Sequence, residues 1–298
     1  MKPLKIALVV KPSASTTRRD DRNMGYWSYP VDDCFTWQHF QFGSFGSMPK
    51  RKFDGFDLVF IEDGGNWGKF VGDGPPIVYM SIDDTLSEAH LRDRVRQSFQ
   101  SNLALVDHGS LAPFKMKNRP VRRLNYCVND KVFMPSLAKE FDVTFHCAAN
   151  ARQGIPGGEE RTAVRQQLDT ICKRHGWSYR SGVCGLEDYA ANMSKSRVIV
   201  NWPRTVINRP HRVFDAMASG AALLTGPIPQ VDGDGVFDGV HYRTFTDVET
   251  LEKQLVKLLT YGEYEHIAIA GNVHVAENHT WDIRAVQLRT MLNEVLGL

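Results

Sequence analysis

The densest group of chemically capable side chains falls within twelve positions: Arg204, Arg209, His211, Arg212 and Asp215. They lie in or just before the run Asn208-Arg-Pro-His-Arg-Val-Phe-Asp-Ala-Met-Ala-Ser-Gly220-Ala-Ala-Leu-Leu-Thr225. Pro210 is pre-organised for a first helical turn, Gly220 suits the left-handed residue that closes a helix, and a short apolar strand follows at once. The pattern predicts a helix from about Pro210 to Ser219 and a strand from Ala222 to Thr225. Residues 211 and 215 are four apart and share a helix face. Several cationic donors thus converge near a helix N-terminus, where backbone N–H groups also attract anions, an arrangement that suits a diphosphate. Asp215 can accept hydrogen bonds from ribose or sugar hydroxyls. A solvated Arg212–Asp215 surface pair on a core helix is the plain alternative.

These residues need a scaffold, and the chain reads as alternating strands and helices. In the first half the apolar runs Leu4 to Val10, Leu58 to Ile61, Ile77 to Met80 and Leu103 to Val106 read as buried strands, with a surface helix over Ser87 to Gln100. Ser13 to Met48 reads as a long loop rich in aromatics and turn residues, and Lys115 to Arg123 as a basic connector. From there the pattern restarts. Strands are expected at Val143 to His146, Trp177 to Arg180, Val198 to Asn201 and Ala222 to Thr225. Helices are expected at Glu159 to His175, Leu186 to Ser194, and near 247–260, 262–277 and 280–296. Parallel strands need crossover helices, so two such sets imply two doubly wound α/β domains with a boundary near residue 125. Ligands in such sheets bind outside the carboxyl ends of the strands, which places the expected site in a cleft between the two domains.

The run Phe214-Asp-Ala-Met-Ala-Ser-Gly-Ala-Ala-Leu-Leu-Thr225 resembles the signature of group 1 glycosyltransferases of the GT-B fold, most closely their CgeB-like branch. Asn125 to Pro135, Glu140 to His146, Asp188 to Asn201 and His279 to Ala285 are similar to successive blocks of the same family. The resemblance covers residues 120–298 and is weaker before them. It implies an α/β fold of two Rossmann-like domains: an acceptor-binding domain at 1–124, a nucleotide-sugar-binding domain at 125–280, and a C-terminal helix at 281–298 packing back on the first domain. It implies transfer of a sugar from a UDP-linked nucleotide donor, with Arg209 and Arg212 on the donor diphosphate and Asp215 on its ribose; Arg204 and His211 beside them complete the expected donor-binding group. Asp215 stands where the family has a Glu. The residue eight before it is Ile207, so the first acid of the family's paired acids is missing. The glycine-rich loop after the first strand is replaced by Lys11-Pro12-Ser13.

Transfer to a hydroxyl with inversion needs a general base within about 3 Å of that hydroxyl. Asp63 and Asp84 both follow strands at their carboxyl ends and are the candidates, with Asp63 preferred; helix capping is the plain alternative role for both. Gly64 and Gly65 would let a ligand approach the backbone closely. Residues 1–125 carry 18 Lys+Arg against 14 Asp+Glu, whereas 126–298 carry 18 against 20, so the net charge of +2 conceals a basic first half. That surplus, including Arg18-Arg19, Lys50-Arg51-Lys52 and the 115–123 connector, could contact phosphates. Gly25, Tyr26 and Trp27, with Tyr29, Trp37 and Trp67, could receive an acceptor or stack on an extruded base. The chain, short for the fold, resembles bacteriophage-type enzymes that glycosylate hydroxymethylated pyrimidines; with the basic surplus, that resemblance makes such a base in double-stranded DNA the expected acceptor. Another glycan, protein or small-molecule acceptor, or a non-catalytic nucleotide-sugar-binding module, is the alternative.

Other chemistries find less support. Asp232-Gly-Asp234 matches a D-x-D metal motif but sits in a Gly/Pro turn, and no metal or other cofactor is expected. Gly64 to Gly68 lacks the dinucleotide-binding spacing, which disfavours an oxidoreductase. Five scattered cysteines without a C-x-x-C pair argue against a disulfide framework or zinc site. Hydrophobic residues make up 42% and charged residues 23%, as in globular proteins, and no apolar run approaches the roughly 20 residues of a membrane span, so a cytoplasmic protein is expected.

Overall fold

The computed structural model describes residues 2–10, 34–41, 48–62, 69–81, 88–107, 111–115, 119–147, 157–204, 209–230 and 234–298. The chain forms two compact units, Met1–Asn125 with Asp282–Leu298, and Tyr126–Trp281.

The first unit is built on a six-stranded sheet. β1 (Leu4–Val10), β2 (Phe35–Gln41), β4 (Leu58–Glu62), β6 (Ile77–Ser81), β7 (Leu103–Val106) and β8 (Val121–Arg123) run parallel in the order β2-β1-β4-β6-β7-β8. A parallel sheet is covered on both faces, which is why β1, β4, β6 and β7 read as continuous apolar runs. Ile6, Leu8, Val59, Phe60 and Leu105 are fully buried. β3 (Met48–Pro49) and β5 (Phe70–Val71) form a separate two-stranded pair, and α1 (Glu88–Ser98) follows β6.

Two expectations change here. The 13–48 segment holds a full edge strand, β2: Phe35 is buried, and Trp37 packs on Phe35 and Phe60 with ring centroids 5.5 and 5.7 Å apart. Trp37 is therefore a packing residue of the sheet rather than a free stacking platform. The basic connector likewise ends in strand β8. Within it, buried Arg119 donates to the carbonyls of Ser98 and Phe114, and Arg123 donates to the Asp107 carbonyl at 2.7 Å. Those charges satisfy internal acceptors, so they cannot all face a phosphate backbone.

The second unit carries β9 (Phe141–Phe145), β10 (Tyr179–Ser181), β11 (Ser196–Asn201), β12 (Ala222–Thr225) and β13 (Tyr242–Thr244), all parallel in the order β10-β9-β11-β12-β13. Its helices are α2 (Gly158–His175), α3 (Leu186–Ser194), α4 (Arg212–Ala218), α5 (Val248–Leu259) and α6 (Tyr264–Asn278). Val143, Phe145, Leu168, Val198, Val200, Leu224, Leu251 and Leu255 form one core between sheet and helices. α7 (Trp281–Leu296) begins at the end of this unit and runs into the first. β13 is a short edge strand that the sequence pattern does not announce.

Candidate nucleotide-binding site

The chain leaves β9 toward β10 on one side and returns to β11 on the other. The carboxyl ends of β9 and β11 therefore flank the point where the strand order reverses, the position at which open α/β sheets bind ligands. His146 and Cys147 follow β9, and Asn201 ends β11 and leads through Trp202 and Pro203 to Arg204. α4 crosses from β11 to β12 and contributes Arg212 and Asp215. The signature run is thus built against the ends of β9, β11 and β12.

Local geometry explains the signature. Val213 N donates to the Pro210 carbonyl at 3.0 Å and Phe214 N to the His211 carbonyl at 2.9 Å, so the pre-set Pro210 opens the helical turn. At the other end Gly220 has φ 64° and its N–H reaches the Met217 carbonyl, while Ala221 N reaches that of Ala216. These two bonds form the Schellman closure that stops α4 and starts β12. α4 is shorter than the sequence pattern suggests, with Pro210, His211 and Ser219 as flanking residues.

Arg212 sits at the centre of a hydrogen-bonded chain. Its guanidinium donates to Asn201 Oδ1 at 2.8 Å, and Asn201 Nδ2 donates to Thr225 Oγ1 at 2.8 Å, tying the helix to the ends of β11 and β12. Arg212 also bonds the Tyr189 hydroxyl, which donates to Asp215 Oδ2 at 3.3 Å. His211 Nε2 lies 3.7 Å from the same carboxylate oxygen. Burial raises the Asp215 carboxyl to about 7 against the opposing pull of Arg212 and Tyr189. Burial works against the Arg212 charge, but Cys147, Tyr189 and Asp215 outweigh it and hold its pKa above the ordinary value. His211 is held well below its ordinary value by burial and by Arg212 and Arg204, so at neutral pH it is an uncharged imidazole.

Arg161, which the sequence pattern did not single out, completes a cationic cluster. It is buried on the first turns of α2, donates from Nε to the Trp202 carbonyl at 3.0 Å, and is pulled down to about 10 by burial, with Arg212 and Arg204 adding to the effect. Three guanidiniums, Arg161, Arg204 and Arg212, therefore share one field. The N-terminus of α2 lies against this cluster: Gly157, at φ 75°, leaves room where a Cβ would come within 2.6 Å of the Arg204 carbonyl oxygen. Fixed cations beside a helix N-terminus make an anion site.

Arg209 is placed differently from the other four. It is buried, paired with Asp234, and its guanidinium carbon sits 4.9 Å from the Phe214 ring centre. Asp234 is the second acid of the D-x-D match. Its Oδ1 accepts from Val236 N at 3.0 Å, the mark of a turn, and its carbonyl lies 2.8 and 2.9 Å from His274 Nε2 and His279 Nε2. Among the described residues no group of three or more His, Cys, Asp or Glu could hold a metal ion. His146, Tyr189 and Asn201 are further site residues that motif reading missed. They come from the residue after β9, from α3 and from the end of β11, and only the sheet order assembles them with α4. The five cysteines are free thiols. Asp63, Asp84, Gly25, Tyr26, Trp27, Gly64 and Gly65 lie outside the described residues, as do Tyr29, Trp67 and Asp232.

A family model described as glycosyl transferase-like matches residues 122–290. No curated protein matches the chain by sequence. Among solved structures, HepE from Anabaena in complex with UDP aligns with a TM-score of 0.61 at 11% identity, covering 98% of this chain and 100% of that one. Sucrose-phosphate synthase from Thermosynechococcus elongatus aligns at 0.59 and 12% identity, over 99% of each chain. The pneumococcal O-GlcNAc transferase GtfA, in complex with UDP and GlcNAc, aligns at 0.56 and 10% identity, over 80% of this chain and 57% of that one. These likenesses give the fold: two-domain α/β, GT-B. No helix among the described residues is long and apolar enough to cross a membrane.

Proposed function

The chain belongs to the glycosyl transferase-like family, and from that premise we propose that it moves a sugar from a UDP-linked donor to a hydroxyl acceptor. The observation that carries this reading is the convergence of Arg161, Arg204 and Arg212 with Asp215 at the switch point of the second sheet. Guanidiniums match the paired oxygens of a diphosphate and stay charged at any working pH. In transfer the bond from the anomeric carbon to the diphosphate oxygen breaks, and negative charge grows on the leaving UDP. Fixed cations aimed there stabilise the transition state more than the ground state. The arginines take this role without a metal ion, so a chelator leaves transfer unchanged. HepE and GtfA, solved with UDP, support the same choice of donor.

In this reading His211, neutral and beside Asp215, donates a hydrogen bond to a donor oxygen, and Asp215 accepts from the ribose. Arg209 holds Asp234 and positions the segment after β12. Asp63, the residue that follows Glu62 of β4 in the sequence, is the base that takes the acceptor proton, with Asp84 second. Gly25, Tyr26, Trp27, Gly64 and Gly65 receive the acceptor. The acceptor we propose is a hydroxymethylated pyrimidine in DNA, and the basic balance of residues 1–125 supports it. The test offers labelled nucleotide sugars with hydroxymethylated duplex DNA, unmodified DNA, glycan and protein acceptors. Label on the modified duplex alone is expected and is lost in Asp63→Asn. Label on glycan or protein instead overturns the DNA acceptor and leaves the transferase; donor binding with neither transfer nor hydrolysis overturns the enzyme in favour of a binding module.

A further inference from the structure

His146 is 6% exposed and follows β9 at the reversal point, yet nothing in the donor reading above uses it. Its Nδ1 lies 2.9 Å from the Gly182 carbonyl oxygen. A carbonyl only accepts, so Nδ1 carries the hydrogen and Nε2 carries the lone pair. The Nδ1 edge is filled further by Cys184, whose sulfur is 3.8 Å from that nitrogen and is itself met by Asn192 Nδ2 at 3.9 Å. One ring neighbour is Tyr189, edge-on with centroids 5.7 Å apart, the residue whose hydroxyl joins Arg212 to Asp215. Nε2 is buried and has no hydrogen-bond partner among the described residues. Arg212 Nε, on the residue at the heart of the cluster, is a second buried polar atom without a partner among the described residues. Two unmet polar atoms in one network call for a missing group, because such atoms are rare in native interiors.

Burial and the nearby charges of Arg212 and Arg180 push the His146 imidazole below its ordinary value, so it stays neutral at physiological pH. A neutral, fixed lone pair repels phosphate oxygens and accepts from O–H groups. We propose that His146 Nε2 accepts a hydrogen bond from a sugar hydroxyl of the bound nucleotide sugar, as a specificity-determining residue of the donor site. The inference rests on the donor reading above. It also gives a reason for the tautomer: the Gly182 carbonyl fixes the hydrogen on Nδ1 and so keeps the opposite nitrogen an acceptor.

The test compares wild type, His146→Phe, His146→Gln and Arg212→Ala, first checking by thermal melting that each folds, then titrating UDP and UDP-glucose by calorimetry. Removing the acceptor is expected to weaken binding about tenfold in His146→Phe, while His146→Gln, which keeps an acceptor near the Nε2 position, recovers most of it. A loss seen with both ligands assigns the hydroxyl to ribose; a loss with UDP-glucose alone assigns it to the transferred sugar. In nitrogen-15 spectra the His146 Nε2 resonance is expected to move on adding the ligand, a change that packing alone would not produce. If His146→Phe binds as wild type and the resonance stays still while Arg212→Ala loses binding, an internal water satisfies Nε2 and this inference fails alone. If the wild type binds neither ligand, the donor reading fails and takes this inference with it. Failure of His146→Phe to fold leaves the resonance of the wild type and the His146→Gln titration to decide.

Discussion

Arg212 is useful because it is held, not merely because it is charged. Its contacts with Asn201 and Tyr189 fix a planar fork that a lysine cannot reproduce from one ammonium. Arg212→Lys should weaken UDP binding about tenfold with little change in melting temperature, measured by calorimetry and calorimetric scanning. Asp215 makes a pH prediction. Its folded pKa of about 7 lies above that of an exposed Asp, so the stability it allows is complete at low pH and is lost as pH rises through about 7. The difference in urea midpoint between wild type and Asp215→Asn, which cancels the opposing histidine contribution, should decline from pH 4 to 8. Arg204, His211, Arg212 and Asp215 were legible as a group because they share twelve residues of chain. Arg161, Tyr189, His146 and Asn201 were not, since each belongs to a different element and its place depends on the sheet order. The Arg209 partner was hidden for a similar reason: Asp234 lies 25 residues on, beyond a complete strand.

Helices and strands that bury a full face were readable, and those whose partners lie elsewhere were not. Leu186–Ser194 and Ala222–Thr225 match the sequence pattern residue for residue, and Leu4–Val10 does the same in the first unit. Central parallel strands announce themselves as apolar runs. The edge strands β2, β8 and β13 carry mixed residues, because one side has no partner strand and the faces are only partly covered. The stop after α4 yields a sharper test. Gly220 is in the left-handed region, and a Cβ there would lie 2.8 Å from Pro135 Cβ. Gly220→Ala should cost about 1–3 kcal/mol of stability, from strain and the displaced proline together, read from chemical denaturation. The histidines that brace the 234–241 segment give an acid limit. Burial lowers His241 and His274, whose rings lie 4.5 Å apart, below the ordinary imidazole value. Their folded state therefore binds fewer protons, so stability should fall as pH drops below about 6.5, with His274→Phe reducing that fall in a thermal melt.

At the scale of the whole chain, the sequence implied two α/β halves and the model family matched the later one, at 122–290. The charge asymmetry between halves is the part that the structure thins, since Arg119 and Arg123 answer internal carbonyls. α7 buries Ala285, Leu288 and Leu292 and belongs to the unit of residues 1–125. Ending the chain at Trp281 should therefore raise hydrogen exchange in β1 and β4 while β9, β11 and β12 keep their protection. The central claim is that the second unit holds a UDP-sugar on its arginine cluster. Calorimetric titration of UDP-glucose into the full chain and into Arg212→Ala tests it most directly. Saturable one-to-one binding by the wild type, lost at least tenfold in the variant, is the predicted result; equal binding by both proteins, or none by the wild type, would contradict it.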